Sequence, residues 1–298
     1  MRRETVHVRG LDFSCLVDGP EDGPLVLMLH GFPEYSGAWA DMIDRLSDRY
    51  FCVAPDQRGY NLSEKPAEVS AYATGKIGAD ALAMIEHWRP GGRAHALVGH
   101  DWGAGAAYNA AIRGGPEKIE RLVIVNGVHP LPFQRELLKD GAQRAASQYI
   151  NRLRRPDSHE ELAADNFEGV IRMLERNIAM TWLTPEKKAA YKEAWGRPGA
   201  IKAMVDWYRA TPLVVPEVGE AADDSILKHL DPAAMRIRMP HLLIWGLEDG
   251  ALLPESRDGL PDLCDDLEMV EIEDADHWVI HQKPEEVASH MRRFLDRG

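Results

Sequence analysis

Short apolar runs alternate with amphipathic stretches along most of this chain. Val6–Arg9 and Leu11–Leu16 alternate apolar and polar positions with a two-residue period and break at Gly10, the pattern of a hairpin. Leu25-Val26-Leu27-Met28-Leu29 is apolar throughout and stops at His30-Gly31, as a strand buried on both faces does. Further buried strands are expected at Tyr50–Ala54, Ala94–Val98 and Leu122–Val125, with helical spacing over Trp39–Leu46, Ala79–Trp88 and Gly103–Ile112 between them. Such strand–helix alternation predicts an α/β fold, with a mostly parallel sheet flanked by helices on both faces.

The rhythm changes after Val128-His129-Pro130. From about Leu131 to Asp231 the periodicity is helical with no clear buried strand, and Thr184-Pro185-Glu186 has the composition of a helix N-terminus. Alternation returns at Pro240, with a strand at His241–Trp245, a short helix at Pro254–Leu260, a last strand at Leu267–Ile272 and a final helix at Pro284–Leu295. The expected organisation is an α/β core over residues 1–130, a helical insertion over 131–235 and the rest of the core over 236–298.

Composition narrows the class. With 298 residues, 45% hydrophobic and 28% charged, the chain can bury a sizeable core and is neither disordered nor low in complexity. Its 35 Lys and Arg against 48 Asp and Glu give a net charge of −13, which argues against nucleic acid or an anionic membrane as partner. The acid excess is uneven. Residues 1–130 hold 13 basic and 17 acidic side chains, residues 131–235 hold 15 and 16, and residues 236–298 hold 7 and 15. The nearly neutral stretch coincides with the insertion. Cys15, Cys52 and Cys264 are few and widely separated, without disulfide or zinc spacing. The first ten residues lack the apolar stretch of a signal peptide, and no apolar run approaches the length of a membrane span. A soluble, cytoplasmic protein is expected. A homodimer is compatible with the sequence, which does not set the oligomeric state.

The segment richest in chemistry is Leu97-Val98-Gly99-His100-Asp101-Trp102-Gly103-Ala104-Gly105. It has the small-x-nucleophile-x-small pattern of a sharp strand-to-helix turn, with Asp101 at the nucleophile position. There the incoming helix's N–H groups and dipole favour a carboxylate and stabilise an oxyanion. A plain helix-capping aspartate is the competing explanation for Asp101 alone. The rest of the constellation weighs against it. His30-Gly31-Phe32-Pro33-Glu34 follows the first buried strand, Trp245-Gly246-Leu247-Glu248-Asp249 follows a later one, and Asp276-His277-Trp278 follows the last. Four chemistry-bearing segments at four strand ends form a candidate acid–base–nucleophile set.

These segments, together with Asp56-Gln57-Arg58-Gly59-Tyr60, resemble the α/β-hydrolase-fold epoxide hydrolases, whose near relatives are the haloalkane and haloacetate dehalogenases. The resemblance spans essentially the whole chain. It implies an α/β-hydrolase core with an inserted helical cap, and Asp101 as a nucleophile that forms an alkyl ester with the substrate. It further implies His277 as the base that activates water, Asp249 as its orienting acid, and backbone N–H groups of Phe32 and Trp102 as the oxyanion hole. No metal or organic cofactor is required, and the partner is a small-molecule epoxide. Family members also carry two cap tyrosines that protonate the opening epoxide. Tyr149, seven residues before Pro156, and Tyr208 in Asp206-Trp207-Tyr208-Arg209 stand at the matching places. The chain departs from the family at Asn61 and Asp276, where glycine is usual, and in the residues around Tyr149.

The implied reaction is addition of water to an uncharged epoxide to give a vicinal diol. A haloalkane or haloacetate dehalogenase using the same Asp101–His277–Asp249 set is the runner-up. Haloacetate dehalogenases place Arg where Trp102 stands and His where Tyr149 stands, so both positions point away from haloacetate, while Trp102 is shared with haloalkane enzymes. A catalytically silent binding protein on the same fold is the third reading; a pure binder has no need of a poised base. Glu34 is open between lining the site or assisting water and a merely solvated role, Trp182 and Trp207 are open between shaping an apolar pocket and core packing, and His129 and His281 read as structural.

Overall fold

The computed structural model describes residues 1–175 and 181–297. Eight strands form one sheet in the order β1-β2-β4-β3-β5-β6-β7-β8. They are β1 (Arg2–Val8), β2 (Leu11–Asp18), β3 (Leu25–Leu29), β4 (Phe51–Pro55), β5 (Ala96–His100), β6 (Leu122–Val125), β7 (His241–Gly246) and β8 (Leu267–Ile272). The hairpin β1–β2 joins β4 antiparallel, and every other pairing is parallel. The core helices are α1 (Ala40–Leu46), α2 (Thr74–Trp88) and α3 (Trp102–Lys118). Between β6 and β7 lie α4 (Pro130–Leu138), α5 (Ala142–Ala146), α6 (Gln148–Arg154), α7 (Ser158–Leu174), α8 (Pro185–Trp195) and α9 (Ala200–Ala210). The short α10 (Val279–Gln282) and α11 (Pro284–Leu295) close the chain. No helix among the described residues is long and apolar enough to cross a membrane.

The continuous apolar runs are needed because β3 to β7 are covered on both faces. Leu25, Leu27 and Leu29 point into one apolar layer with Leu97, Ile124 and Leu243, beneath α2, α3 and the insertion. Val26 and Met28 point into the other with Val98, Val125 and Ile244, beneath α1 and α11. Successive residues of a strand face opposite sides, so one run feeds two cores.

Element boundaries depart from the pattern in places where the pattern carries little signal. β5 begins at Ala96 rather than Ala94, which makes only an isolated bridge to Ile119, and it runs on to His100 because Gly99 and His100 register with Ile124 and Val125. α2 starts at Thr74, through Gly75 and Gly78, whose lack of side chains hides the helical period. Residues 36–46 divide into a 3-10 turn, Ser36–Trp39, and α1. The expected helix at Pro254–Leu260 is only a 3-10 turn over Pro254–Arg257.

Two contacts set the sheet's C-terminal edge as a platform. Arg58 forks onto Asp80 of α2 through Nε at 2.8 Å and Nη2 at 2.7 Å, an ion pair buried at both ends. Its backbone carbonyl accepts the indole N–H of Trp207 from α9 at 3.0 Å, which seats the insertion on the core. Beneath the site, α3 crosses β3 so closely that a Cβ on Gly103 would lie 2.0 Å from the carbonyl oxygen of Leu29. Gly103→Ala therefore has to push α3 off β3. It is expected to destabilise the protein by about 2–3 kcal/mol, the upper range for overpacking, read as a lowered midpoint in urea unfolding.

Candidate active site

Asp101 occupies the turn between β5 and α3 with φ 50° and ψ −121°. Its carboxylate accepts the Phe32 N–H on Oδ1 at 2.6 Å and faces His277 Nε2 with Oδ2 at 3.5 Å. Trp102, the first residue of α3, stands beside it. His277 Nδ1 in turn meets Asp249 Oδ2 at 2.8 Å. Four segments spread over more than 240 residues thus converge at the C-terminal ends of β3, β5, β7 and β8.

Each charged member is fixed by its own neighbours. Asp249 is buried, and its Oδ1 accepts the N–H groups of Ala251 and Leu252 at 2.8 and 2.9 Å. Burial opposes its ionisation, but His277 and these hydrogen bonds outweigh that and lower its pKa. Burial likewise opposes charge on His277, yet Asp249 and Asp101 together hold its pKa well above the usual 6.5. The imidazole is therefore oriented by one carboxylate and aimed at the other.

The phenols of Tyr149 on α6 and Tyr208 on α9 meet edge to face with ring centroids 6.2 Å apart. Tyr208 also lies edge-on to Trp102 at 5.0 Å and to Phe32 at 5.2 Å. Both phenols, Asp101 and His277 line a single cavity of about 130 Å³. Burial above all raises the pKa of each tyrosine above its usual value, followed by the Asp101 charge for Tyr149 and by Tyr149 and then Asp101 for Tyr208. They hold their protons throughout the ordinary pH range.

The family model for the α/β hydrolase fold matches residues 24–284. The chain belongs to the α/β-hydrolase fold family. Among curated relatives it is similar to the AB hydrolase superfamily protein YfhM of Bacillus subtilis, 31% identical over 97% of this chain and 96% of that protein. It is also similar to Epoxide hydrolase 1 of Caenorhabditis elegans, 32% identical over 94% of this chain and 66% of that protein. Among solved structures, one of the novel epoxide hydrolases from metagenomes of hot environments superposes with a TM-score of 0.91 and 33% identity, covering 100% of this chain and 99% of that one. The Bacillus megaterium epoxide hydrolase in complex with an inhibitor gives 0.85 and 30% over 99% and 100%.

Around this α/β-hydrolase site lie residues that the sequence reading did not single out. Asn126, at φ 33° just after β6, donates Nδ2–H to Asp249 Oδ2 at 2.8 Å and accepts the Gly246 N–H at 2.8 Å. Gln143 of α5 grips the same loop, donating to the Ala251 carbonyl at 2.9 Å and accepting from the Leu253 N–H at 2.7 Å. A polar residue ending an apolar strand was the available signal for Asn126; Gln143 had none.

Glu34 resolves away from a solvated role. It is 1% exposed and receives the Tyr191 hydroxyl at 2.8 Å and His281 Nε2 at 2.6 Å on Oε1, with His100 Nδ1 at 3.1 Å from Oε2. Burial opposes its charge, but His281 and His100 hold its pKa well below the usual carboxylate range. His100 Nε2 contacts the His277 carbonyl oxygen at 2.8 Å. The Glu34 cluster thus braces the backbone of the histidine whose side chain Asp249 orients. His281 also stacks on Trp182 at 4.1 Å, and Tyr191 lies on α8, so this cluster joins insertion to core. His129 caps α4, accepting the Leu131 N–H at 3.3 Å. Asp276, in place of glycine, accepts the Trp278 N–H at 2.8 Å and tightens the His277 turn.

Because Asp101 contributes to the raised pKa of His277, removing its charge lowers that pKa. In Asp101→Asn, ¹H–¹⁵N NMR titration of the ring should show His277 losing its proton at lower pH than in the wild type; an unchanged or higher value contradicts the coupling.

Proposed function

We propose that this protein is an epoxide hydrolase that adds water to an uncharged epoxide through an ester formed on Asp101, giving a vicinal diol. Similarity to epoxide hydrolases along nearly the whole chain supports the reaction. The observation that carries the route is the single cavity lined both by Asp101 and His277 and by Tyr149 of α6 and Tyr208 of α9.

In the first step one Asp101 oxygen attacks an epoxide carbon while the C–O bond breaks. Oδ2 is the natural nucleophile, since Oδ1 is held by the Phe32 N–H and becomes the ester carbonyl oxygen. Tyr149 and Tyr208 donate hydrogen bonds to the leaving oxygen. Their raised pKa values keep them protonated until an alkoxide, a stronger base than a phenolate, develops. In the second step His277 takes a proton from water, which attacks the ester carbonyl carbon. The N–H groups of Phe32 and Trp102 hold the resulting oxyanion, and Asp249 stabilises the imidazolium. On collapse the departing diol oxygen takes the imidazolium proton and the carboxyl proton returns to the phenolate, which releases the diol and restores the carboxylate, the imidazole and both phenols.

Alkylation also prepares the second step. An esterified Asp101 no longer carries the charge that helps raise the His277 pKa, so the imidazole becomes easier to deprotonate just when a base is needed. In this reading residues 131–235 are the cap. They supply the phenols, while the core supplies every charged participant.

The covalent route has a direct test. A single turnover in ¹⁸O-water should leave label in the Asp101 carboxylate, found by peptide mass, and label only in the diol contradicts the ester. Asp101→Asn should abolish turnover, and His277→Gln should accumulate an adduct of enzyme plus epoxide mass. Losing one phenol, in Tyr149→Phe or Tyr208→Phe, should slow ring opening by about 10²-fold or more, the usual scale for a general acid. Losing both should leave almost none; ring opening that survives the double change contradicts the donor assignment, and halide release from chloroalkanes at comparable rates favours a dehalogenase instead.

A further inference from the structure

Asp101 and Tyr149 border a second cavity besides the small one that holds both phenols. It has a volume of about 500 Å³ and is walled mainly by apolar side chains, among them Val128, Phe133, Ile150, Leu213, Met235 and Leu252. Asp101, in the turn that leads into α3, lines it together with Gly105, Asn109 and Ile112 of α3, which are spaced by four and three residues and therefore lie on one face of the helix. From Gly105 to Ile112 the helix rises about 10 Å, so the cavity is a groove along α3 that starts beside the nucleophile. Its far rim carries His229 and Asp231, both exposed, at the linker that returns to the core.

Gly105 has no packing reason to be glycine. A glycine inside a helix is less stable than alanine. At Gly103, two residues earlier, the backbone of β3 forbids any side chain. At Gly105 an added Cβ would meet only Trp102 Cε3, at an ordinary 3.9 Å. Since Gly105 lines the groove one turn from Asp101, any longer side chain there would grow into the groove beside the reacting centre.

We propose that Gly105 is a specificity-determining residue. Its missing side chain opens the groove for one long apolar substituent of the epoxide, and the 130 Å³ cavity leaves room for only a small substituent on the other epoxide carbon. The substrate class is then an epoxide with one extended alkyl or aryl-alkyl arm and a small or absent second arm. This rests on the epoxide hydrolase reading.

The test compares kcat/KM for 1,2-epoxybutane and 1,2-epoxydecane in wild type, Gly105→Ala and Gly105→Leu. The wild type should prefer the longer epoxide, since each buried methylene is worth about four-fold in binding. In Gly105→Leu the long-to-short ratio should fall by about ten-fold or more, mainly through KM. Gly105→Ala should give an intermediate ratio and melt at a higher temperature than wild type, which separates blocked space from a damaged helix. An unchanged ratio in Gly105→Leu, or a wild type that prefers the short epoxide, overturns the groove assignment while leaving the hydrolase reading intact. Absence of diol from both epoxides with wild type overturns the hydrolase reading and the groove assignment with it.

Discussion

Asp101 is held at φ 50° and ψ −121°. Such a left-handed, sparsely populated conformation costs an L-residue about 1–3 kcal/mol. The turn cannot relax because it is crowded on both sides. A side chain on Gly99 would strike the backbone of Gly103 and Ala104, and one on Gly103 would strike the Leu29 carbonyl. The same crowding brings the Phe32 N–H, at the end of β3, within 2.6 Å of the carboxylate. A carboxylate so close to the start of α3 is also favoured by the unpaired N–H groups of the first turn. The strain and its partial electrostatic relief are thus parts of one arrangement, which fixes the reacting oxygen relative to the sheet.

Around that point the charged groups divide into two sets that meet at His277. On the side of its ring, Asp249 is held by two backbone N–H groups and by Asn126, with Gln143 clasping the loop that carries it. On the side of its backbone, His100 reaches the His277 carbonyl and is itself paired with Glu34. Buried ion clusters of this kind are poor sources of stability, because desolvation consumes most of the attraction. What they give is orientation. With donors from Tyr191 and His281 on one oxygen and His100 on the other, Glu34 has few arrangements open to it, and the cluster ties α8 to the histidine loop.

The sheet was legible because strands buried on both faces must be apolar throughout, and β3, β4, β6 and β7 read that way. The strand ends were legible for the complementary reason. His30 and Asp101 stand where an apolar run stops, Asp249 and His277 in the loops that follow later strands, and such polar residues gathered at several strand ends mark a candidate site. Asn126 carries the same mark but is outweighed in sequence by the adjoining Gly127-Val128. Glu34, His100, Tyr191 and His281 come from four distant segments, and only their packing turns them into one cluster. Gln143 and Gly105 are less visible still. The role of the first lies in backbone groups of another loop, and the second matters for the space it leaves empty.

The neutrality of residues 131–235 acquires meaning only through the cavities. The side chains those residues turn toward Asp101 include Ala146, Tyr149, Met173, Leu174 and Tyr208 in the smaller cavity, and Phe133, Ile150 and Leu213 in the larger. None is charged. The titratable side chains other than tyrosine that the insertion adds to these walls, His229 and Asp231, are exposed. The interior pairs the carboxylates of the site with hydrogen-bond donors. A charged substituent drawn into such walls would lose its hydration without gaining a partner, a cost of several kcal/mol. An apolar one gains from the same burial. The core supplies the fixed charges that move electrons and protons, and the insertion supplies neutral hydroxyls and apolar walls, so that in the proposed reaction the charge that develops on the substrate meets groups arranged to receive it.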